Sequence, residues 1–254
     1  MTNRITKQAR CAGLTAALAL TLALPVSVSA QTAQAVVAAK DRTEADRVQD
    51  EGRHPAEVLA FSGIKRGDVV ADFMAGGGYY SALLADLVGP QGMVYAVNPL
   101  SFHRADAWDA RLRADGNIRT LVTDARAMQL APGSVDSIFA HLVFHDLYFE
   151  SERFKFSRLD VDFMLANWFA AVKPGGTVII VDHVGPPGDT RQIVNDVHRI
   201  DPATVIRDMT RAGFRLVGQS DVLRRSNDDL SKSVFDEQLR GKTDRFIMKF
   251  QKPM

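Results

Sequence analysis

Between residues 69 and 99 the chain reads VVADFMAGGGYYSALLADLVGPQGMVYAVNP, and no other stretch restricts its fold as tightly. Val69 to Phe73 is a short apolar run of the kind that forms a buried strand. Gly76, Gly77 and Gly78 follow. Tyr79 to Val88 then has helical spacing, and Gly89-Pro90 ends it. Met93 to Val97 is a second strand. Strand, glycine turn, helix and strand make a parallel pair with a helix packed across it, and the glycines allow the backbone to approach a ligand closely and to take positive φ.

The same alternation runs on. Phe102 to Ala114 has helical spacing, Asp115-Gly116 marks a turn, and Ile118 to Val122 is a third strand. Ser134 to Ala140 is the fourth strand and Leu159 to Val172 an amphipathic helix. Pro174-Gly175-Gly176 reads as a tight turn before a fifth strand, Thr177 to Asp182. Pro202 to Ala212 is a helix closed by Gly213, and strands follow at Phe214 to Ser220 and Arg245 to Phe250. Strands alternating with helices imply an α/β domain, with a mostly parallel sheet covered by helices on both faces. Residues 184–200 and 222–242 are longer and more polar, and read as lids or insertions.

Ahead of this domain, Arg4, Lys7 and Arg10 precede an apolar run from Ala12 to Val26, and Val28-Ser29-Ala30 offers small residues for cleavage before Gln31. Residues 1–30 are therefore expected to be a signal peptide that sends the protein out of the cytoplasm, to the periplasm. The run is short for a membrane span, which needs about 20 residues, so no stable span is expected after cleavage. The only cysteine, Cys11, leaves with the signal, which excludes a cysteine nucleophile and thiolate metal sites from the remaining 224 residues. That remainder holds 28 bases and 30 acids, a balance that gives no reason to expect nucleic acid as partner. Residues 31–52 read as a flexible polar leader passing into a charged helix, and His54 to Phe61 as a further helix with Pro55 at its start. Arg53-His54 reads as an exposed helix start, with a place in a lid as the alternative. The domain proper is expected over residues 53–254.

In open parallel sheets ligands sit beyond the carboxyl ends of the strands. Asp72 and the loop from Met74 to Gly78 fall at such an end. A dinucleotide site wants G-x-G-x-x-G/A, and Gly76, Gly78 and Ser81 come close to it. A site for S-adenosylmethionine holds an amino acid cation and an adenosine instead, and an acid such as Asp72 suits that cation. A glycine loop alone does not choose between them. A nicotinamide-dependent oxidoreductase would want a charged residue for the ribose at position 98 and a proton relay near strand five, and neither is present.

Five stretches carry a resemblance: the glycine segment above, TDARAM, SVDSIFAHLVFHDLYF, VKPGGTVIIVDH and RAGFRLV. Through them the chain resembles class I S-adenosylmethionine-dependent methyltransferases across nearly all of residues 50–252, and among these a little-characterised group of exported bacterial predicted methyltransferases. The resemblance implies a Rossmann-like, seven-stranded sheet whose last strand is antiparallel and inserted beside strand five. It implies S-adenosyl-L-methionine as cofactor, with Asp72, Gly76 and Gly78 along its methionine part. It places Asn98 where an acid usually holds the ribose, Asp124 and Ala125 at the adenine edge, and His141 beside the donor methyl group. Met74 departs from the family pattern, standing where D-x-G-x-G-x-G has its first glycine, and Asn98 departs by offering an amide for a carboxylate. Tyr79 either covers the cofactor or packs the first helix.

Beyond strand four lie His141, His145, Asp146 and Tyr148, and beyond strand five Asp182 and His183. Loops after these strands open on the same side of the sheet, so the groups are expected to converge. His145, Asp146 and His183 are the candidate catalytic groups, with imidazole suited to proton transfer near neutral pH. The alternatives are a metal, which the strand-like setting of His141 and His145 disfavours, and plain hydrogen bonding to neighbouring backbone. The expected function is methyl transfer to an unidentified small-molecule acceptor. The alternative is an exported, non-catalytic binding protein on the same fold. No feature sets an oligomeric state.

Overall fold

The computed structural model describes residues 28–254, so the expected signal segment lies outside the described residues apart from its last three positions. Seven strands form one sheet: β1 (Val69–Phe73), β2 (Met93–Pro99), β3 (Ile118–Thr123), β4 (Val135–His141), β5 (Val172–His183), β6 (Arg215–Ser220) and β7 (Arg245–Gln251). Their order is β3-β2-β1-β4-β5-β7-β6. The first five run parallel, and β7 lies antiparallel between β5 and β6. This is the Rossmann-like sheet expected from the sequence, with the last strand where the resemblance put it.

The strands are apolar without interruption because both faces are covered. Ile138, Ala140, Val178 and Ile180 join one core, while their alternating neighbours Phe139, Ile179 and Val181 join the other. The second core is closed by α1 (Val28–Val37), α3 (Pro55–Ser62) and α4 (Tyr79–Val88). The first is closed by α6 (Val161–Ala171), where Trp168 packs edge-on against Phe73 at 4.8 Å between centroids, and by α8 (Pro202–Arg211). Among the described residues no helix is long and apolar enough to cross a membrane.

Four boundaries differ from the sequence reading. The supposedly flexible leader holds α1, whose Ala33 and Val36 are buried against the domain. It then leads into α2 (Glu44–Arg53), capped by Thr43, whose side chain accepts from the Asp46 backbone N–H. The helix after β2, α5 (Ala105–Ala114), starts three residues late. Phe102 and His103 instead turn back to the Pro99 carbonyl, and Phe102 stacks on Phe156. Pro174-Gly175-Gly176 does not stand before β5 but bulges within it: from Val135 to Ser137 the partner strand advances from Val172 to Thr177. Within 184–200 the chain forms α7 (Thr190–Val197).

Candidate active site

A cavity of about 480 Å³ opens at the carboxyl ends of β1 and β4, beneath α2. Gly76 forms its floor with φ +57°, and a Cβ there would meet nothing within 4 Å, so its outer face is open space. Glycine suits this position because side-chain-bearing residues rarely take that backbone conformation. Gly78 serves otherwise: a Cβ there would sit 2.7 Å from Trp108 Cη2 and 2.8 Å from Arg111 Cδ. It admits α5 against the loop and does not line the cavity. Trp108 Nε1 donates to the Gly76 carbonyl at 2.8 Å, and Arg111 Nε to the Gly77 carbonyl at 2.7 Å. Met74 takes φ +52° in place of the family's first glycine. A left-handed conformation costs a non-glycine residue about 1–2 kcal/mol, and burial of the thioether side chain in the core offsets it.

Asp72 shares a face of β1 with Val70, which turns it toward α4, and it borders the cavity. It is buried, and Ser81 Oγ donates to its Oδ2 at 2.5 Å. Burial pushes its carboxyl up to about 7, against the opposing pull of Ser81, Arg53 and Arg111. A carboxylate so placed gains by meeting a cation. Two further wall groups have no hydrogen-bond partner among the described residues: the buried Tyr80 hydroxyl and His141 Nε2. Their rings lie 4.5 Å apart. Burial, with the Arg53 and Arg245 charges, holds His141 well below its ordinary value and therefore neutral.

Above the glycine loop α2 forms a clasp. Asp46 takes both terminal nitrogens of Arg111 at 2.8 and 3.0 Å. Asp50 accepts the Tyr79 hydroxyl at 2.6 Å and both ends of Arg42. The Arg53 guanidinium lies over the Tyr79 ring at 4.3 Å. α2 thus covers the cavity, and Arg53 belongs to its inner face. The sequence signal was the spacing of Asp46, Asp50 and Arg53, which puts all three on one side of a helix.

Besides Gly78, three residues the resemblance assigned to cofactor do not reach this cavity. Asn98 is fully buried and braces the loop: its Oδ1 accepts from the Gly76 N–H at 2.8 Å. Asp124 caps the short turn Ala125–Ala127, accepting from the Arg126 backbone and side chain, and Ala125 is buried in the core. Asp72, Gly76, Tyr79 and His141 do lie on the wall.

A second cavity, about 740 Å³, adjoins the first, and Gln49, Arg53 and Leu142 line both. Leu142 holds φ +59° directly after β4, the kind of strained backbone that collects at functional sites. His183 borders this second cavity.

The expected convergence of His145, Asp146 and His183 is only partial. His145 lines neither cavity. Its Nδ1 meets Asp182 Oδ1 at 2.8 Å, and its Nε2 lies 3.5 Å from Asp146 Oδ1. Burial opposes its charge, but Asp182 and Asp146 outweigh that and raise it to about 9. A histidine already protonated at neutral pH is no general base. Burial raises Asp146 to about 6 with Asp182 adding to it, and it too stays off the cavity walls. Asp182 accepts from the backbone N–H groups of His145 and His183 as well, so this group ties the β4 loop to β5. Tyr148 turns away to bond Asp208 on α8.

Taken together, a mostly parallel sheet with this order and a ligand-sized cavity over its glycine loop make a Rossmann-like domain with a candidate binding site. Residues 71–180 match the family model described as "Methyltransferase domain". A protein-L-isoaspartate O-methyltransferase of Ignicoccus hospitalis is 40% identical over 63 residues, 24% of this chain and 29% of that protein. The chain therefore spans less than a third of the curated relative it matches. An Aquifex aeolicus SAM-dependent methyltransferase superposes with a TM-score of 0.57 at 22% identity, over 81% of this chain and 95% of its own. An S-adenosylmethionine-dependent methyltransferase of Mesorhizobium loti gives 0.56 at 16%, over 80% and 100%. A (4+2) cyclase gives 0.55 at 17%, over 83% and 81%. These likenesses show the fold, and the cyclase among them shows why a fold alone does not name the reaction.

Proposed function

We propose that the chain binds S-adenosyl-L-methionine over its glycine loop and transfers the methyl group to a small-molecule acceptor in the adjoining cavity. One observation carries this reading: the buried Asp72 carboxylate beside the open face of Gly76. With Arg53 on the same wall, and no carboxylate within ion-pairing distance of Arg53 among the described residues, the cavity offers one group for an ammonium and one for a carboxylate. That matches the two ends of an amino acid. The names of the Aquifex and Mesorhizobium structures support the same cofactor.

When bound, the cofactor supplies an electrophilic methyl group on a sulfonium. The chain's own task is alignment and exclusion of water. Asp72 accepts the ammonium, Gly76 leaves room beside it, and α2 covers the site. His141, neutral and unpartnered at Nε2, supplies a hydrogen-bonding group beside Tyr80. Leu142 stands where the cavities meet and sets the approach of one ligand to the other. His145 has no place in the proton path; it holds the β4 loop in position through Asp182.

Calorimetric titration of the purified protein with S-adenosyl-L-methionine tests this, with Gly76→Val as control. Micromolar binding lost in Gly76→Val, at unchanged circular dichroism, supports the reading; equal binding by the variant sinks it. A second reading, a binding protein on this fold without catalysis, draws on a specific observation: Asn98, Asp124 and Ala125 are all committed elsewhere. It anticipates a folded protein that ignores the cofactor. We also hold that the protein is exported, on the strength of Arg4, Lys7, Arg10 and the apolar run behind them. Fractionation of expressing cells, with N-terminal sequencing, checks it.

A further inference from the structure

We propose that the second cavity is an anion site, and that the acceptor is a small amphipathic molecule carrying one carboxylate or phosphate on an apolar body. This deepens the proposed function and rests on it for the word acceptor; the anion site itself rests on the cavity's own chemistry.

Five basic side chains and one acid, Glu51, stand on its wall. Three acids behind that wall are already engaged, Asp182 with His145 at 2.8 Å. Asp228 takes both terminal nitrogens of Arg199 at 2.7 and 3.0 Å. Asp244 takes Arg224 at 2.9 and 3.0 Å. Arg245 is left as a guanidinium only 3% exposed. It donates from Nη1 to the Gly52 carbonyl and from Nε to Thr243 Oγ1, and among the described residues no carboxylate pairs with it. A buried cation without a counter-ion is costly unless a ligand supplies one. Burial and the neighbouring Arg53 and Arg225 charges lower Arg245 to about 10, which leaves it charged at neutral pH. Arg225 adds a second fork of donors. Its backbone N–H bonds Asp244, while its side chain has no hydrogen-bond or ion-pair partner among the described residues. Planar guanidinium forks match carboxylate and phosphate oxygens.

His183 borders the same cavity. Thr243 Oγ1 accepts from Arg245 Nε at 3.1 Å and lies 2.7 Å from His183 Nδ1. A hydroxyl oxygen can accept two hydrogen bonds, so Thr243 ties His183 to Arg245 whichever ring nitrogen carries the proton. The ring is neutral, because burial and the surrounding positive charges hold it well below its ordinary value. Apolar side chains share the wall: Phe235 and Val48 are large hydrophobics exposed at 55% and 70%. A ligand with its charge on Arg225 and Arg245 and its body along Phe235 extends toward Leu142, where the cofactor cavity begins.

The test titrates the full chain calorimetrically with benzoate, phenyl phosphate and benzamide, and separately with S-adenosyl-L-methionine. At least one anion should bind tenfold or more tightly than neutral benzamide, and the stronger of the two identifies the preferred group. Arg245→Gln and Arg225→Gln should each weaken that binding at least fivefold. Arg225→Gln stays readable if the buried variant fails to fold, because its side chain makes no hydrogen bond to lose. Equal binding of benzamide, or anion binding indifferent to the variants, overturns the proposal. Cofactor binding with neither anion bound also overturns it while leaving the proposed function standing. Anion binding without cofactor binding upholds the anion site and removes the methyltransferase reading.

Discussion

Replacing Asp72 by Asn should change both the strength and the pH dependence of cofactor binding, and the size of each follows from the site. Asp72 is raised from 3.8 to about 7, chiefly by burial. Return to an ordinary value beside an ammonium would span about three units, a ceiling of about 4 kcal/mol. A cation binds the ionised carboxylate, so affinity rises with pH as Asp72 loses its proton. An α-amino group loses its own charge near pH 8. Affinity should therefore climb about fivefold from pH 6 to a maximum near pH 7.4, then fall. Stability runs the other way in the free protein. The contribution of this raised acid is fully present below 3.8 and is lost as pH rises through about 7. The thermal shift produced by the cofactor is thus larger at pH 7.4 than at pH 6. Other wall groups do not mimic this. His141 stays neutral because its value is depressed, and burial raises Tyr79 and Tyr80. Asp72→Asn should lose a charge-assisted hydrogen bond, about 1.5–3 kcal/mol or roughly 10- to 150-fold in affinity, and should flatten the rise below pH 7.4. Calorimetry at four pH values reads both effects. A variant that binds as tightly as the parent, with the same slope, refutes the reasoning.

Three further outcomes follow from the same geometry. Asn98→Asp should not improve binding: it places a buried carboxylate against the Gly76 carbonyl, 3.5 Å from the present amide nitrogen, and should cost about 1–3 kcal/mol in chemical denaturation. Trp108→Phe removes the donor to the Gly76 carbonyl and should weaken cofactor binding several-fold with little change in circular dichroism; unchanged affinity would mean that the loop holds its shape unaided. His145 is raised to about 9. Its contribution to stability is present below its ordinary 6.5 and fades as pH rises through about 9. The gap in Tm between the parent and Asp182→Asn should therefore narrow from pH 7 to about pH 10, and His145 should titrate at lower pH in the variant by NMR.

The sheet was legible because local patterns decide it. The β-branched and apolar runs at Val69–Phe73 and Thr177–His183 admit little besides buried strands, and Gly89 and Gly213 stop helices where their φ is positive. The site was legible only where a residue's role is local. Asp72 and Gly76 line the cavity at the strand end where the sequence places them. Asn98 does not, because its partner is the Gly76 backbone on another strand's loop, a contact that no spacing reveals. Gly78 was read as ligand-facing, yet it is needed for Trp108, thirty positions away. His145 lies off both cavities for a physical reason. A loop-mouth His next to Asp looks poised for proton transfer, but the buried Asp182 beneath His145 turns it into a structural cation. Arg225 and Arg245 carried no motif; they matter because Asp228 and Asp244 are drawn to other arginines.

The most direct test of the central claim is calorimetric titration of the protein with S-adenosyl-L-methionine and then S-adenosylhomocysteine. Micromolar binding of both, abolished by Gly76→Val, is the predicted result. A well-folded sample that binds neither at millimolar concentration contradicts it.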